Sequence, residues 1–259
     1  MTDQEQRNIK LTVAYDGTNY AGWQRQKTDP TIQASIENAI HTMTGSKVVL
    51  HGAGRTDAGV HAYGMTANFN TDSKIPLEGF RKGLNSLLPY DIRMLQAEEV
   101  VLEFHARYFA LGKVYLYHLR CNGEEIPTER LYCHHVSHDL NVQAMQECLF
   151  LLLGEHDFSS FEAAGSRDME ADNSRGAVRV INTARVFKPE PEDSGRMVIE
   201  ISGDGFLRHM VRNIVGTVIE AGAGKRSVAD FRNLIEARDR SLAGPTAPAR
   251  GLFLKKIFY

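Results

Sequence analysis

Asp57 stands in a glycine-punctuated segment that could carry catalysis, because residues 51–62 read HGAGRTDAGVHA. Glycines at positions 52, 54 and 59 permit sharp turns and let a ligand approach the backbone closely. Arg55 lies two positions before the acid, where its charge favours the ionised carboxylate. Asp57 is therefore predicted to be charged at neutral pH and suited to act as a nucleophile. A structural ion pair in an ordinary turn is the alternative interpretation of the same residues.

The histidines of this segment raise the question of a metal site. Asp57 and His61 are four positions apart, but Gly59 between them argues against a helix that would align them. His51 and His61 also match no zinc-binding spacing. The sequence therefore predicts no metal at this segment.

A second group of charges lies in the strongest helical pattern of the chain, which we predict over residues 206–220. Apolar residues recur there at helical spacing on one face. Arg208 and Arg212, four apart, would then be neighbouring like charges that need an anion. A protein carboxylate, Asp204 or Asp57, and a phosphate group are both left open as that anion.

Composition indicates a globular protein without a global nucleic-acid signature. The 259 residues are 42% hydrophobic and 24% charged, with a net charge of −2 and a pI near 6.6, so an RNA partner would need local basic patches. No run of eighteen apolar residues occurs, and neither secretion nor membrane insertion is indicated. Three cysteines without metal spacing suit reduced thiols in a cytoplasm.

Strands and helices alternate in both halves of the chain. Period-two and helical patterns with their end signals predict the following elements: strands at 9–15, 20–23, 48–50, 65–69, 113–120, 178–187, 197–201 and 251–259, and helices at 31–44, 77–88, 142–153 with Gly154 as cap, 206–220 and a short one after it. Residues 165–176 are predicted to be an exposed loop. The order indicates an α/β or α+β fold in two parts, 1–108 and 109–259.

Several blocks, taken in order, resemble the TruA family of tRNA pseudouridine synthases. They span nearly the whole chain and comprise YDG at 15–17, GWQRQ at 22–26, GRTDAGVH at 54–61, FHAR at 104–107, YLY at 115–117, GEHDF at 154–158, FLRHMVRNIVG at 206–216 and ARGL at 249–252.

The resemblance implies an isomerase that converts uridine to pseudouridine at positions 38, 39 and 40 of the tRNA anticodon stem-loop, without cofactor or metal. It implies that Asp57 is the nucleophile, that Arg212 pairs with it, that Tyr115 stacks on the target base, and that Arg55 holds the nucleotide out of the stack. Further contacts to RNA are expected from Arg208, His209 and Arg179.

The fold implied by the resemblance is α+β: two related α/β-sandwich halves share an extended mixed, mainly antiparallel sheet, with the active-site cleft between them. A cytoplasmic homodimer with tRNA as its partner is also implied. Departures from the family pattern are a longer segment at 165–172, Gly176 where threonine is common, and Arg208 where histidine is frequent. They lie around expected RNA contacts rather than at Asp57. A non-catalytic tRNA-binding or folding protein remains the alternative function.

Overall fold

The computed structural model describes residues 6–163, 175–189 and 195–259. It divides into two compact units, the first formed by Met1–Leu111 with Phe253–Tyr259 and the second by Gly112–Leu252. The division predicted from the sequence lies between residues 108 and 109. In the described ranges, no helix is long and apolar enough to cross a membrane.

The described residues contain ten strands, five α-helices and three short 3-10 turns, which confirms the α+β class. The strands are β1 (Arg7–Tyr15), β2 (His51–Gly52), β3 (His61–Thr71), β4 (Ile92–Val100), β5 (Gly112–Cys121), β6 (His134–Val136), β7 (Gly154–Asp157), β8 (Val178–Phe187), β9 (Arg196–Gly203) and β10 (Leu252–Phe258). The helices are α1 (Ile32–Thr44), α2 (Leu77–Leu87), α3 (Val142–Phe150), α4 (Met210–Gly222) and α5 (Val228–Ala237), and the 3-10 turns are Ser159–Phe161, Arg240–Leu242 and Ala249–Gly251.

Unit 1 is a sheet covered by two helices. Strand β1 pairs antiparallel with β3 on one side and β4 on the other, while β3 also pairs with β2 and, in parallel, with β10. Ile9, Leu11 and Val13 alternate along β1 and are fully buried, as expected of a strand with one covered face. Helix α2 packs on this sheet, since the ring of Phe80 meets Phe69 edge-on at 5.7 Å.

Unit 2 repeats this layered arrangement with an antiparallel core of strands. Strand β9 pairs with β5 and β8, β7 pairs with β8, and β6 runs parallel to β5. Helix α4 buries nearly all its apolar residues. Cys148 on α3 is fully buried, and the other two cysteines are also buried as free thiols.

Several predicted boundaries differ from the structure. Residues 20–23 and 48–50 are not strands, and the strand that precedes the Asp57 loop is only β2. Helix α4 begins at Met210 rather than at residue 206. Gly154 does not cap α3, which ends at Phe150, but starts β7 with a φ of 92°. Most of the predicted 165–176 loop lies outside the described residues.

Candidate active site

The main chain around Asp57 is fixed by a turn that closes directly after it. The Val60 amide donates to the Asp57 carbonyl oxygen at 3.2 Å, and the Gly59 amide donates to the Tyr20 carbonyl oxygen at 3.4 Å. Gly59 adopts a φ of 77°, a left-handed conformation that glycine enters without steric cost. The Asp57 side chain is half-buried. The turn therefore anchors the loop on the C-terminal side of the acid.

Thr56 anchors the loop on the N-terminal side of Asp57. Its carbonyl oxygen accepts a hydrogen bond from the Trp23 amide at 3.1 Å, and its Oγ1 lies 2.9 Å from the Tyr15 hydroxyl. Tyr15 and Thr56 are only 5% and 8% exposed. Because buried hydrogen bonds are shielded from competition by water, Thr56 is held through both its main chain and its side chain.

Two glycines let the N-terminal segment approach the loop closely. A Cβ on Gly22 would lie 2.4 Å from the Thr56 carbonyl oxygen, and a Cβ on Gly17 would lie 2.0 Å from the Val60 carbonyl oxygen. Both distances are shorter than real Cβ contacts. The Asp57 loop therefore packs against two of the blocks that resemble the family, those at 15–17 and 22–26.

The other polar residues of this loop differ in their environment. Arg55 and His51 are exposed. His61 is buried, its Nδ1 lies 3.2 Å from the Gly17 amide, and its ring stacks on Phe253 at 4.5 Å. Within the described ranges no group of three or more histidine, cysteine or acidic residues could hold a metal ion.

In unit 2, Tyr115 lies on β5 and is 9% exposed. The ring of Phe206 meets it edge-on, with centroids 5.1 Å apart and planes at 86°, a geometry that favours aromatic attraction and fixes the ring. Tyr117, two residues along the strand, donates its hydroxyl proton to the Pro248 carbonyl oxygen at 2.9 Å. Burial raises the pKa of Tyr117 far above its ordinary value, so its hydroxyl is a structural donor.

Arg212, in the first turn of α4, is oriented by the segment 245–247. Its Nε donates to the Ala247 carbonyl oxygen at 2.7 Å, and the Ala247 amide donates back to the Arg212 carbonyl oxygen at 3.1 Å. A Cβ on Gly216 would lie 1.7 Å from the Pro245 carbonyl oxygen. Gly216 therefore allows the contact that holds the Arg212 guanidinium.

Arg208 and His209 precede α4, which corrects the interpretation of Arg208 and Arg212 as stacked charges on one helix. His209 is the N-cap residue with a left-handed φ of 62°, and the Arg208 carbonyl oxygen accepts from the Ala163 amide at 2.9 Å. The Arg208 side chain is exposed. The repulsion between helical neighbours that suggested a bound anion does not apply to this geometry.

Arg179 and Asp204 lie near the Gly205–Phe206 segment. The Arg179 Nη1 donates to the Gly176 carbonyl oxygen at 2.9 Å, and a Cβ on Gly205 would lie 3.6 Å from the Arg179 Nε. Asp204 forms an ion pair with Arg175 and accepts from the Val180 amide at 3.1 Å. The sequence left Asp204 open as a partner for Arg208 and Arg212. In the structure its carboxylate contacts Arg175, just before β8, and the Val180 amide in β8.

The expected site residues divide between the two units. Asp57 and Arg55 belong to unit 1, whereas Tyr115, Arg212 and the RNA-contact candidates Arg208, His209 and Arg179 belong to unit 2. Sequence reasoning assigned no role to Thr56, Tyr15 or Phe206. Gly216, a glycine inside a helical pattern, was an available signal of a close backbone approach in unit 2.

Comparisons with known proteins agree on one family. Residues 11–109 and 149–259 match the family model described as tRNA pseudouridine synthase. The chain is 50% identical over 253 residues to tRNA pseudouridine synthase A 1 of Desulfotalea psychrophila, covering 98% of this chain and 100% of that protein. It is 45% identical to tRNA pseudouridine synthase A 2 of Clostridium tetani, covering 98% and 99%, and 45% identical to tRNA pseudouridine synthase A of Clostridium botulinum, covering 98% and 100%.

Among solved structures, 91% of this chain superposes on 60% of a chain in the crystal structure of the archaeal box H/ACA sRNP Nop10-Cbf5 complex. The TM-score of 0.34 and the sequence identity of 10% are too low for that likeness to carry an argument.

Proposed function

Because the chain belongs to the tRNA pseudouridine synthase family, we propose that it modifies uridines 38, 39 and 40 in the anticodon stem-loop of tRNA. The family places the enzyme among the isomerases that convert uridine to pseudouridine in tRNA. The choice of positions rests on the resemblance of the ordered blocks to the TruA family. We propose further that the enzyme is a cytoplasmic homodimer, as that resemblance implies.

The reaction rearranges one nucleotide without net oxidation or reduction. The glycosidic bond between N1 of uracil and C1′ of ribose breaks, and a bond between C5 and C1′ forms. The proton on C5 leaves for solvent while N1 gains a proton, so substrate and product have the same atoms. A carboxylate can assist either by adding to the uracil ring or by helping the base depart from the ribose.

Asp57 is the proposed nucleophile, and its anchored loop is the observation that supports the role. The loop is fixed before the acid by Thr56 and after it by the turn at Val60. Covalent or electrostatic catalysis needs the reacting atoms within about 3–3.5 Å and correctly aligned, so a fixed main chain is an advantage. Tyr15, Thr56 and Val60 are buried, so water competes little with the hydrogen bonds on the two sides of Asp57.

The target uridine must leave the base stack, which costs a few kcal/mol. We propose that Tyr115 stacks on the extruded base and that Arg55, which is exposed beside Asp57, holds the nucleotide in that state. Arg212 is proposed as the counter-charge of the nucleophile, by its match to the family block. The edge contact with Phe206 and the hydrogen bond to Ala247 support fixed orientations for Tyr115 and Arg212.

Arg208, His209 and Arg179 are proposed to bind the tRNA backbone. Arg208 is exposed, and phosphate contacts from such side chains supply a salt-dependent share of RNA affinity. The net charge of −2 makes these local contacts the source of attraction, rather than the field of the whole protein.

Replacing Asp57 with Asn tests the proposal, because the amide keeps the shape of the side chain and removes the nucleophile. We expect no pseudouridine in an unmodified tRNA transcript, with tRNA affinity unchanged. Mapping pseudouridine in tRNA from cells that carry only the variant should show its loss at positions 38 to 40. An active D57N enzyme would refute the role of Asp57, and loss at other positions would refute the assigned site.

A further inference from the structure

We propose that Tyr15 and Thr56 form a positioning pair that sets the orientation of the Asp57 carboxylate. The inference rests on the proposed role of Asp57 as nucleophile. Neither residue is assigned contact with the RNA, and their effect on the reaction passes through the main chain of the loop.

The first step of the argument is the position of Thr56 in the chain. Thr56 directly precedes Asp57, so its ψ angle and the peptide between the two residues determine where the Asp57 Cα–Cβ bond points. The Trp23 amide fixes the carbonyl oxygen of that peptide at 3.1 Å. This bond restrains the peptide plane but leaves the Thr56 side chain to be held by another contact.

Tyr15 supplies that contact from the last residue of β1. Its hydroxyl lies 2.9 Å from Thr56 Oγ1, in a buried environment and across 41 positions of sequence. A β-branched side chain has few χ1 rotamers, so a hydrogen bond to Oγ1 also restrains the backbone that carries it. The rigid sheet strand is thereby connected to the residue beside the nucleophile.

The side chains around the pair are tightly packed, so neighbouring groups cannot easily move to replace a lost hydrogen bond. The Tyr15 ring lies 6.0 Å from the Trp23 ring, and Trp23 Nε1 is so close to Gly52 that a Cβ there would approach within 2.4 Å. The Tyr15 hydroxyl thus comes from a side chain that is itself fixed by packing. Loss of the hydrogen bond should leave the fold intact and widen the range of Asp57 orientations.

Three variants separate positioning from simple structural support. Tyr15→Phe leaves the buried Thr56 hydroxyl without that hydrogen bond, which destabilises the protein, whereas adding Thr56→Val replaces this hydroxyl by a methyl group of similar shape. Stability should therefore recover in the double variant. If the pair positions Asp57, activity should not recover with it, because the connection between β1 and the loop is still missing.

The test measures the single-turnover rate constant at saturating enzyme, the tRNA affinity and the unfolding temperature of each variant. Release of tritium from C5 of labelled uridine in a tRNA transcript reports the reaction. We expect Y15F, T56V and the double variant each to react about tenfold more slowly, the equivalent of one net hydrogen bond. Affinity for tRNA and the shape of the pH profile should stay unchanged.

Two controls accompany these variants. Thr56→Ser keeps the hydroxyl but loses the β-branch that restrains χ1, so its rate should lie between those of T56V and the wild type. Tyr259→Phe removes another phenolic hydrogen bond of unit 1, the 2.8 Å bond to the Ala106 carbonyl oxygen, and should leave the rate unchanged.

Three results would overturn the pair's role: wild-type rates in both single variants, recovery of rate together with stability in the double variant, or a loss confined to tRNA affinity. D57N measured in the same series distinguishes this failure from that of the proposed function. An active D57N enzyme refutes the nucleophile, whereas an inactive D57N with unaffected Y15F and T56V refutes only the positioning pair.

Discussion

Gly22→Ala should slow the reaction strongly by displacing the loop, with only a modest effect on stability. The added Cβ would lie 2.4 Å from the Thr56 carbonyl oxygen, about 1 Å inside the 3.4 Å at which ordinary van der Waals contact begins. That neighbour is main chain, so the Thr56–Asp57 peptide must move. A displacement of about 1 Å at a reacting group can cost roughly 100-fold in rate. We expect a fall of that order in the single-turnover rate constant.

Gly45→Ala is the matched control for backbone strain. Gly22 and Gly45 both have positive φ angles, 98° and 72°, but a Cβ on Gly45 would have no neighbour within 4 Å. Each substitution should cost roughly 1–2 kcal/mol of folding free energy from the left-handed conformation alone, and lower the unfolding temperature by roughly 2–8 °C. Only G22A should lose activity. Equal activity losses in the two variants, or full activity in a folded G22A, would refute the close-approach argument.

Three further predictions concern unit 2. Gly216→Ala should lower the unfolding temperature, although alanine ordinarily stabilises a helix interior, because its Cβ would lie 1.7 Å from the Pro245 carbonyl oxygen. Burial lowers the pKa of His134 from 6.5 to about 4. Between these two pH values the unfolded chain therefore binds more protons than the folded one, so stability falls as pH drops from 6.5 to 4. His134→Phe should flatten this pH dependence in thermal melts. Ser227→Ala removes the capping box it forms with Asp230 and should lower the unfolding temperature by about 2–4 °C.

Each of these three predictions has a control measurement. Gly222→Ala places its Cβ against the flexible side chain of Met145 and should be tolerated better than G216A. Above pH 6.5, where His134 is neutral in the folded and the unfolded chain, the wild type and His134→Phe should show the same pH dependence, and Ser86→Ala, whose hydroxyl donates to the Gly83 carbonyl oxygen within α2, should leave the melt unchanged. Equal effects in the glycine pair or in the serine pair would contradict the corresponding argument.

Local signals predicted the elements whose ends are determined by their own residues. Thr31 caps α1 through its side chain and Gly45 ends it in the left-handed conformation, within one residue of the predicted bounds of 31–44. The start of α4 was predicted wrongly because Leu207 continues the apolar period while His209 adopts a left-handed φ. That conformation is accompanied by the bond from the Ala163 amide to the Arg208 carbonyl oxygen, a long-range contact that periodicity cannot indicate.

The same limit applies to the candidate site. Asp57 was identified from the glycines and the arginine beside it, all within a few residues. The Tyr15–Thr56 hydrogen bond joins residues 41 positions apart, and both are ordinary strand or loop residues by type. The parallel pairing of β10 with β3 also cannot be predicted from local sequence, because no feature of the last strand specifies its partner. Local composition thus indicated Asp57 as a candidate but gave no sign of the residues that support its loop.

Those supports have a property that suits a carboxylate nucleophile. The anchors on either side of Asp57 are backbone amides, carbonyl oxygens and two hydroxyl groups, none of which carries a charge. Neutral anchors fix the loop without adding a counter-ion beside the acid, so they leave its nucleophilicity to be set by the arginines and by the substrate. Position and charge of the proposed nucleophile can therefore be altered separately, which is why Y15F and D57N are expected to differ in kind: the first slows the reaction, and the second removes it.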